Sequence, residues 1–219
     1  MKLLKRGLFL VALFVVQPAF SAEQRSKLFA VEASGGYYKV PGELFDVSGS
    51  IVRHPPGLYG YAKTAHLDFF LFEHWLVGVN AFDFVANGDG EWRRNDTDAV
   101  LVANKLVGII TGKTDWRLQG GAVEAEYRFF NGPVKPYFRA GIGYGKLKVK
   151  FKGRFQGHET FSGLNFLVSE PAEDEVSRSI PVVAAEAGLR FEIWKHSYFF
   201  MGAAWNTGMI YQAGAGLGF

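Results

Sequence analysis

The strongest constraint on this chain is the pattern of its last eight residues, Gln212-Ala213-Gly214-Ala215-Gly216-Leu217-Gly218-Phe219. Ala213, Ala215, Leu217 and Phe219 share one parity, while Gln212, Gly214, Gly216 and Gly218 share the other. A period of two belongs to a strand whose side chains point alternately to two faces. A sheet in water normally puts its larger side chains on the core face. Here the larger parity is apolar and ends on phenylalanine, and the opposite parity is glycine with one amide. That pair of faces suits lipid outside and a narrow, crowded barrel lumen inside.

The other end of the chain agrees. Lys2, Lys5 and Arg6 form a positive segment, Gly7 to Val16 is apolar but too short to span a bilayer, and Ala19-Phe20-Ser21 has a small-x-small cleavage pattern. Residues 1–21 are therefore expected to be a secretory signal peptide, with cleavage after Ser21 or Ala22, and residues 22–219 the barrel domain. The signal's three positive residues account for the formal net charge of +3, so the basic balance is no sign of nucleic-acid binding. No cysteine is present, which removes disulfides and thiolate metal sites. After the signal no run approaches the roughly 18 apolar residues of a helical span. Aromatics at 16% and 27 glycines, spread over short alternating segments, fit a closed barrel, which pairs every backbone group without long apolar runs.

Taken in order, the alternation predicts eight strands: about 28–38, 58–71, 75–85, 116–130, 136–151, 180–193, 197–206 and a last one ending the chain. Loop one, Lys39 to Gly57, contains Pro41, Gly42, Pro55 and Pro56. Loop two, Ala86 to about Lys113, contains an apolar stretch, Val100 to Ile110, that reads either as a short surface helix or as strands continued beyond the membrane. Loop three, Lys152 to Ser179, is acidic around Glu170, Glu173, Asp174 and Glu175. Short turns follow strands two, four and six, and a tight hairpin, Asn206-Thr207-Gly208, follows strand seven. The expected fold is all-β: an up-and-down, antiparallel, eight-stranded transmembrane β-barrel with both termini and three turns periplasmic and three long loops extracellular.

Two stretches carry a family resemblance. Ala125-Glu126-Tyr127-Arg128-Phe129-Phe130, followed by Val134-Lys135-Pro136-Tyr137-Phe138-Arg139-Ala140-Gly141-Ile142-Gly143-Tyr144, resembles the central hairpin of the OmpA/OmpW-type small outer-membrane barrels. Gln212, Gly214, Leu217 and the terminal Phe219 resemble the C-terminal assembly signal of bacterial outer-membrane barrels. The resemblance implies the outer membrane of a Gram-negative cell, and as partners the barrel-assembly machinery, outer-membrane lipids and lipopolysaccharide, and a host or cell-surface ligand met through the loops.

The inward parity collects Glu32, His66, Asp68, Glu124, Glu126, Arg128, Arg139, Glu186, Arg190 and Glu192. Eight strands make an interior just wide enough for side chains to fill, so these charges are expected to pair across the lumen; the competing reading is a narrow polar conduit. On the outward parity, Lys146, Lys148, Lys150, Lys152 and Arg154 cannot face hydrocarbon cheaply and are expected at the headgroups, in contact with lipopolysaccharide phosphates. His66 and Asp68, two apart on one inner face, could form an acid–base dyad, but the His-x-Ser arrangement of lipid A deacylases is missing and His196-Ser197 has the wrong spacing. Asp89, Glu91, Asp96 and Asp98 lack a calcium-loop spacing and read as solvated acids. No catalytic, cofactor or metal site is expected. The role expected first is structural or interactive, through envelope integrity, adhesion or lipopolysaccharide contact. An OmpW-like channel for small or hydrophobic solutes comes second and a lipid A-modifying enzyme third.

Overall fold

The computed structural model describes residues 28–40, 57–97, 105–161 and 164–219. Eight antiparallel strands, each paired with its sequence neighbours, form a closed barrel: β1 Phe29–Val40, β2 Leu58–Phe70, β3 Trp75–Thr97, β4 Lys105–Arg128, β5 Val134–Phe161, β6 Leu164–Trp194, β7 Ser197–Asn206 and β8 Met209–Gly218. β1 closes the ring against β8, with Val31 opposite Leu217 and Tyr37 opposite Tyr211. The last residue locks this seam. The backbone of Phe219 accepts from Phe29 N at 3.1 Å and donates to Phe29 O at 2.8 Å, and the two rings stack at 5.2 Å. No helix among the described residues is long and apolar enough to cross a membrane; the barrel crosses with strands.

The expected signal peptide and most of loop one fall outside the described residues. Two boundaries are corrected. Much of loop two is strand: β3 runs on to Thr97 and β4 starts at Lys105, paired from Asp89↔Lys113 out to Thr97↔Lys105. Continued strands, and not a helix, occupy Lys105 to Ile110. Nearly all of loop three is strand as well, with β5 and β6 in register out to Phe161↔Leu164. Charge and proline make these stretches read as loops. Beyond the bilayer, however, a paired strand needs no apolar face, because water covers both sides. Pro171 and Pro181 fit for a second reason. The β6–β7 register begins only at Ala184↔Asn206, so both prolines lie where β6 has a free side and a missing N–H costs no ladder bond.

The outside of the barrel is a lipid surface. Val31, Leu67, Val79, Val123, Ile142, Val183, Met201 and Leu217 are all exposed on the outward parity. Phe69, Phe72, Trp75, Phe138, Phe199 and Phe219 ring the end with the short turns, while Tyr37, Tyr59, Tyr61, Tyr144, Trp205 and Tyr211 ring the other. Two aromatic girdles around an apolar band are the marks of a barrel seated in a bilayer.

Inside, the lumen is packed. Toward the long hairpins it is filled by Tyr38, Leu58, Phe82, Phe84, Trp116, Leu118, Val182 and Ile210. Toward the turns it is filled by Tyr137, Tyr198 and Phe200 among charged groups. Inward glycines make room for these rings. Phe82 lies over its register partner Gly120, Tyr137 over Gly188, Tyr198 over Gly216 and Phe200 over Gly214. The glycine parity of β8 is thus a bed for rings on β7, not the wall of an open passage.

Candidate functional site: the charged lumen and the basic outer strip

Arg139 is the hub of the lumen. From near the start of β5 its Nη2 lies 2.9 Å from Glu32 Oε2, 3.0 Å from Asp68 Oδ2 and 2.6 Å from Glu126 Oε2. Its Nε is 3.4 Å from Glu124 and its Nη1 3.6 Å from Glu186. One guanidinium therefore holds carboxylates from β1, β2, β4 and β6. Arg190 bonds Glu32 and Glu126, the latter at 2.5 Å, while its guanidinium sits 4.8 Å from the ring centres of both Tyr137 and Tyr198. Arg128 adds a 2.7 Å bond to Glu126. Tyr198 donates to Glu32 at 2.5 Å and Tyr137 donates to Glu186. Each acid thus carries charge-assisted partners, the condition for burying it.

Nine of the ten expected lumen residues are buried in this interior; Glu192 is not, because it lies at the turn end of β6, where it is exposed and joined to Lys135 at 2.7 Å. Lys135 itself is buried, as are Asn206 and Gln212. The sequence reading passed over Lys135 and Asn206. Lys135 stands beside a proline at a strand start, although the parity that places Tyr137 and Arg139 inside covers it too.

His66 and Asp68 do not form a dyad. Asp68 goes to Arg139, while His66 lies between Glu124 Oε1, 2.5 Å from Nδ1, and Thr64 Oγ1, 3.0 Å from Nε2. Ser34 donates its one proton to Gln212 Oε1 at 3.0 Å, so in the 2.5 Å Ser34–Thr64 contact Thr64 is the donor. Thr64 then has no proton to give His66, and the chain is a structural relay rather than a base poised on a nucleophile. Glu32, Asp68 and Glu126 present oxygens within 4.8 Å of one another, a spacing a metal ion could bridge. Arg139 Nη2 already contacts all three and takes the cation's place. Beside the relay, a cavity of about 30 Å³ is lined by residues including Thr64, His66, Glu124, Asn206 and Gln212. That is room for water and not for a passing solute.

On the outer surface, Lys146, Lys148, Lys150, Lys152 and Arg154 all face outward and are exposed. They are not equivalent. Lys150 is ion-paired with Glu175 at 3.0 Å, Lys152 faces Glu173 in register and Arg154 faces Pro171. Neighbouring Arg117 is held by Asp83 through two bonds of 2.9 and 2.8 Å. Of the four acids weighed as a cation site, Asp89, Glu91 and Asp96 lie on β3, and Asp98 lies outside the described residues.

No protein-family model matches the chain, and no curated protein does. Solved structures do match. Neisserial surface protein A superposes with a TM-score of 0.50 at 13% identity, over 87% of this chain and 97% of that one. The attachment invasion locus protein Ail of Yersinia pestis gives 0.43 at 16% identity, over 88% and 99%. The N-terminal barrel domain of Pseudomonas aeruginosa OprF gives 0.43 at 12% identity, over 88% and 98%. The chain is a small eight-stranded barrel of the outer-membrane type. At these identities the likeness speaks to fold alone, and it agrees with the closed ring, the girdles and the lipid-facing band of this outer-membrane barrel.

Proposed function

We propose that this outer-membrane barrel is a surface-interaction protein: a plugged anchor that holds a protruding sheet outside the cell and meets lipopolysaccharide where the sheet leaves the membrane. One observation carries the reading. β3, β4, β5 and β6 run on together beyond the ends of β1, β2, β7 and β8, while the lumen beneath them is filled by paired charges and rings. A row through Gly90, Gly112, Gly153 and Ala172 crosses all four strands well above Asn206, where β7 ends. Long hairpins above a closed lumen serve contact, not conduction. The name of its structural relative, a surface protein, points the same way. A channel role gains no support from a lumen packed in this way, and an enzymatic one gains none from a histidine without a proton-donating hydroxyl. The secretory signal at 1–21 and recognition of Gln212, Gly214, Leu217 and Phe219 by the barrel-assembly machinery belong to the same reading.

Two measurements test it. The refolded chain in a planar bilayer is expected to be electrically silent while showing the gel shift between unboiled and boiled samples that marks a folded barrel; reproducible conductance steps would remove the plug. Replacing residues 91–111 and 154–171 by two-residue turns is expected to leave that gel shift intact and to abolish adherence of displaying cells to epithelial monolayers. Equal adherence at equal surface density would refute the contact role of the sheet.

A further inference from the structure

Register across β4, β5 and β6 sorts the outward residues into rows, and the rows change character abruptly. Val123, Ile142 and Val183 form one row, exposed at 63%, 70% and 66%. The row toward the turns is Ala125, Ala140 and Ala185, so the three larger side chains stand on a smooth alanine base. The row toward the hairpins is Gly121, Tyr144 and Pro181, with Tyr144 exposed at 71%. Next come Gln119, Lys146 and Ser179, and then Arg117, Lys148 and Ser177. After these the row is Asp115, Lys150 and Glu175, with two acids to one lysine. Between the tyrosine and that acidic row lie two rows with cations and neutral donors and no carboxylate. Asp83 on β3 extends the row of Gln119 and Lys146, but it is already engaged by Arg117, which leaves Lys146 and Lys148 with no acid opposite them on β4 or β6.

Four residues along a tilted strand place Lys146 about 10 Å nearer the outside than Ile142. That is the step from acyl chains to headgroup phosphates. Ammonium groups beside hydroxyl and amide donors make charge-assisted hydrogen bonds to a phosphate, and the face below offers acyl chains an uninterrupted apolar surface.

We propose that Lys146 and Lys148, with the side chains of Ser177, Ser179 and Gln119, bind a phosphate of the lipid A portion of lipopolysaccharide, whose acyl chains lie along Val123, Ile142, Val183 and Tyr144. This rests on the reading of lipopolysaccharide as a partner and narrows it. Glu175 neutralises Lys150 and Glu173 faces Lys152, so these two lysines of the basic strip are balanced by acids and lie outside the site.

The test compares full-length K146Q/K148Q and K150Q/K152Q variants with the parent chain, each refolded in detergent and checked by the gel shift. Binding of bisphosphorylated lipid A is measured by native mass spectrometry, with dephosphorylated lipid A as the second probe. At about 1 kcal/mol per surface lysine, K146Q/K148Q is expected to bind the bisphosphorylated lipid about thirty-fold more weakly. K150Q/K152Q is expected to bind within a factor of two of the parent, and the dephosphorylated lipid to bind all three alike. Equal losses in the two variants would overturn the site in favour of diffuse attraction, as would an unchanged K146Q/K148Q. Displacement of the lipid by millimolar inorganic phosphate would overturn the choice of a lipid ligand. A parent chain that retains no lipid A at all would instead overturn the partner reading beneath it, so the two failures are distinguishable.

Discussion

Arg139→Met is expected to destabilise the barrel by about 3–5 kcal/mol, the loss typical of removing one partner from a buried ion pair. Arg139 is 2% exposed and its side chain serves five carboxylates, three of them through Nη2 alone. Methionine matches the stem of the arginine but offers no donor. Glu32 and Glu126 would keep Arg190, and Glu124 would keep His66 and Asn80. Asp68 is the exception among the described contacts, since its hydrogen bond and its ion pair both go to Arg139. It would be left buried with no cation. Urea unfolding in detergent micelles, followed by tryptophan fluorescence, measures the loss. Arg139→Met paired with Asp68→Asn is expected to recover a large part of it, because the stranded charge goes too. A single variant within 1 kcal/mol of the parent would mean that the lumen acids do not depend on this hub.

Gly216→Leu is expected to cost about 3 kcal/mol, combining overpacking with a lost hydrogen bond to a charged group. Any Cβ at Gly216 would stand 2.4 Å from Cζ, 2.5 Å from Oη and 2.6 Å from Cε2 of Tyr198. The tyrosine lies across this glycine to reach Glu32, the partner of Gly216 on the next strand. Displacing the ring removes its hydroxyl from Glu32 and its face from Arg190. Gly35, whose Cβ would meet nothing nearer than 3.9 Å, supplies the control: Gly35→Ala is expected to change stability by less than about 0.5 kcal/mol. Tyr198→Ala combined with Gly216→Leu is expected to cost less than the sum of the two single changes, since the clash is shared. If Gly216→Leu and Gly35→Ala behave alike, the glycine is not a bed for Tyr198.

Strand parity was legible because it depends on the chain alone. Phe29, Val31 and Ala33 had to face away from Glu32 and Ser34, whatever lay beside them. The eight strands, the three short turns and the inward set from Glu32 to Arg190 followed from that. Strand length outside the membrane was not legible. Lys152 to Ser179 has the charge and proline of a loop, and only its neighbour shows that it is strand, since an antiparallel pair in water needs no apolar parity. The candidate dyad of His66 and Asp68 failed for a related reason. Sharing a face along one strand says nothing about the residues across the ring, and Glu124, Thr64 and Arg139 arrive from elsewhere in the barrel or from the next position along the face.

The sequence by itself determined that this chain forms a lipid-facing, eight-stranded barrel, because alternation, aromatic ends and the absence of long apolar runs leave few other ways to pair its backbone in a bilayer. Only the tertiary structure decided that the lumen is filled and which charges are free. Ring closure brings Arg139 within reach of acids on four other elements, and strand pairing sets Phe82, Tyr137, Tyr198 and Phe200 over glycines on adjoining strands. Cross-strand register, which the length of a turn sets and no single strand encodes, puts Glu175 beside Lys150 while leaving Lys146 and Lys148 flanked on β4 and β6 by only serines, a glutamine and an occupied arginine.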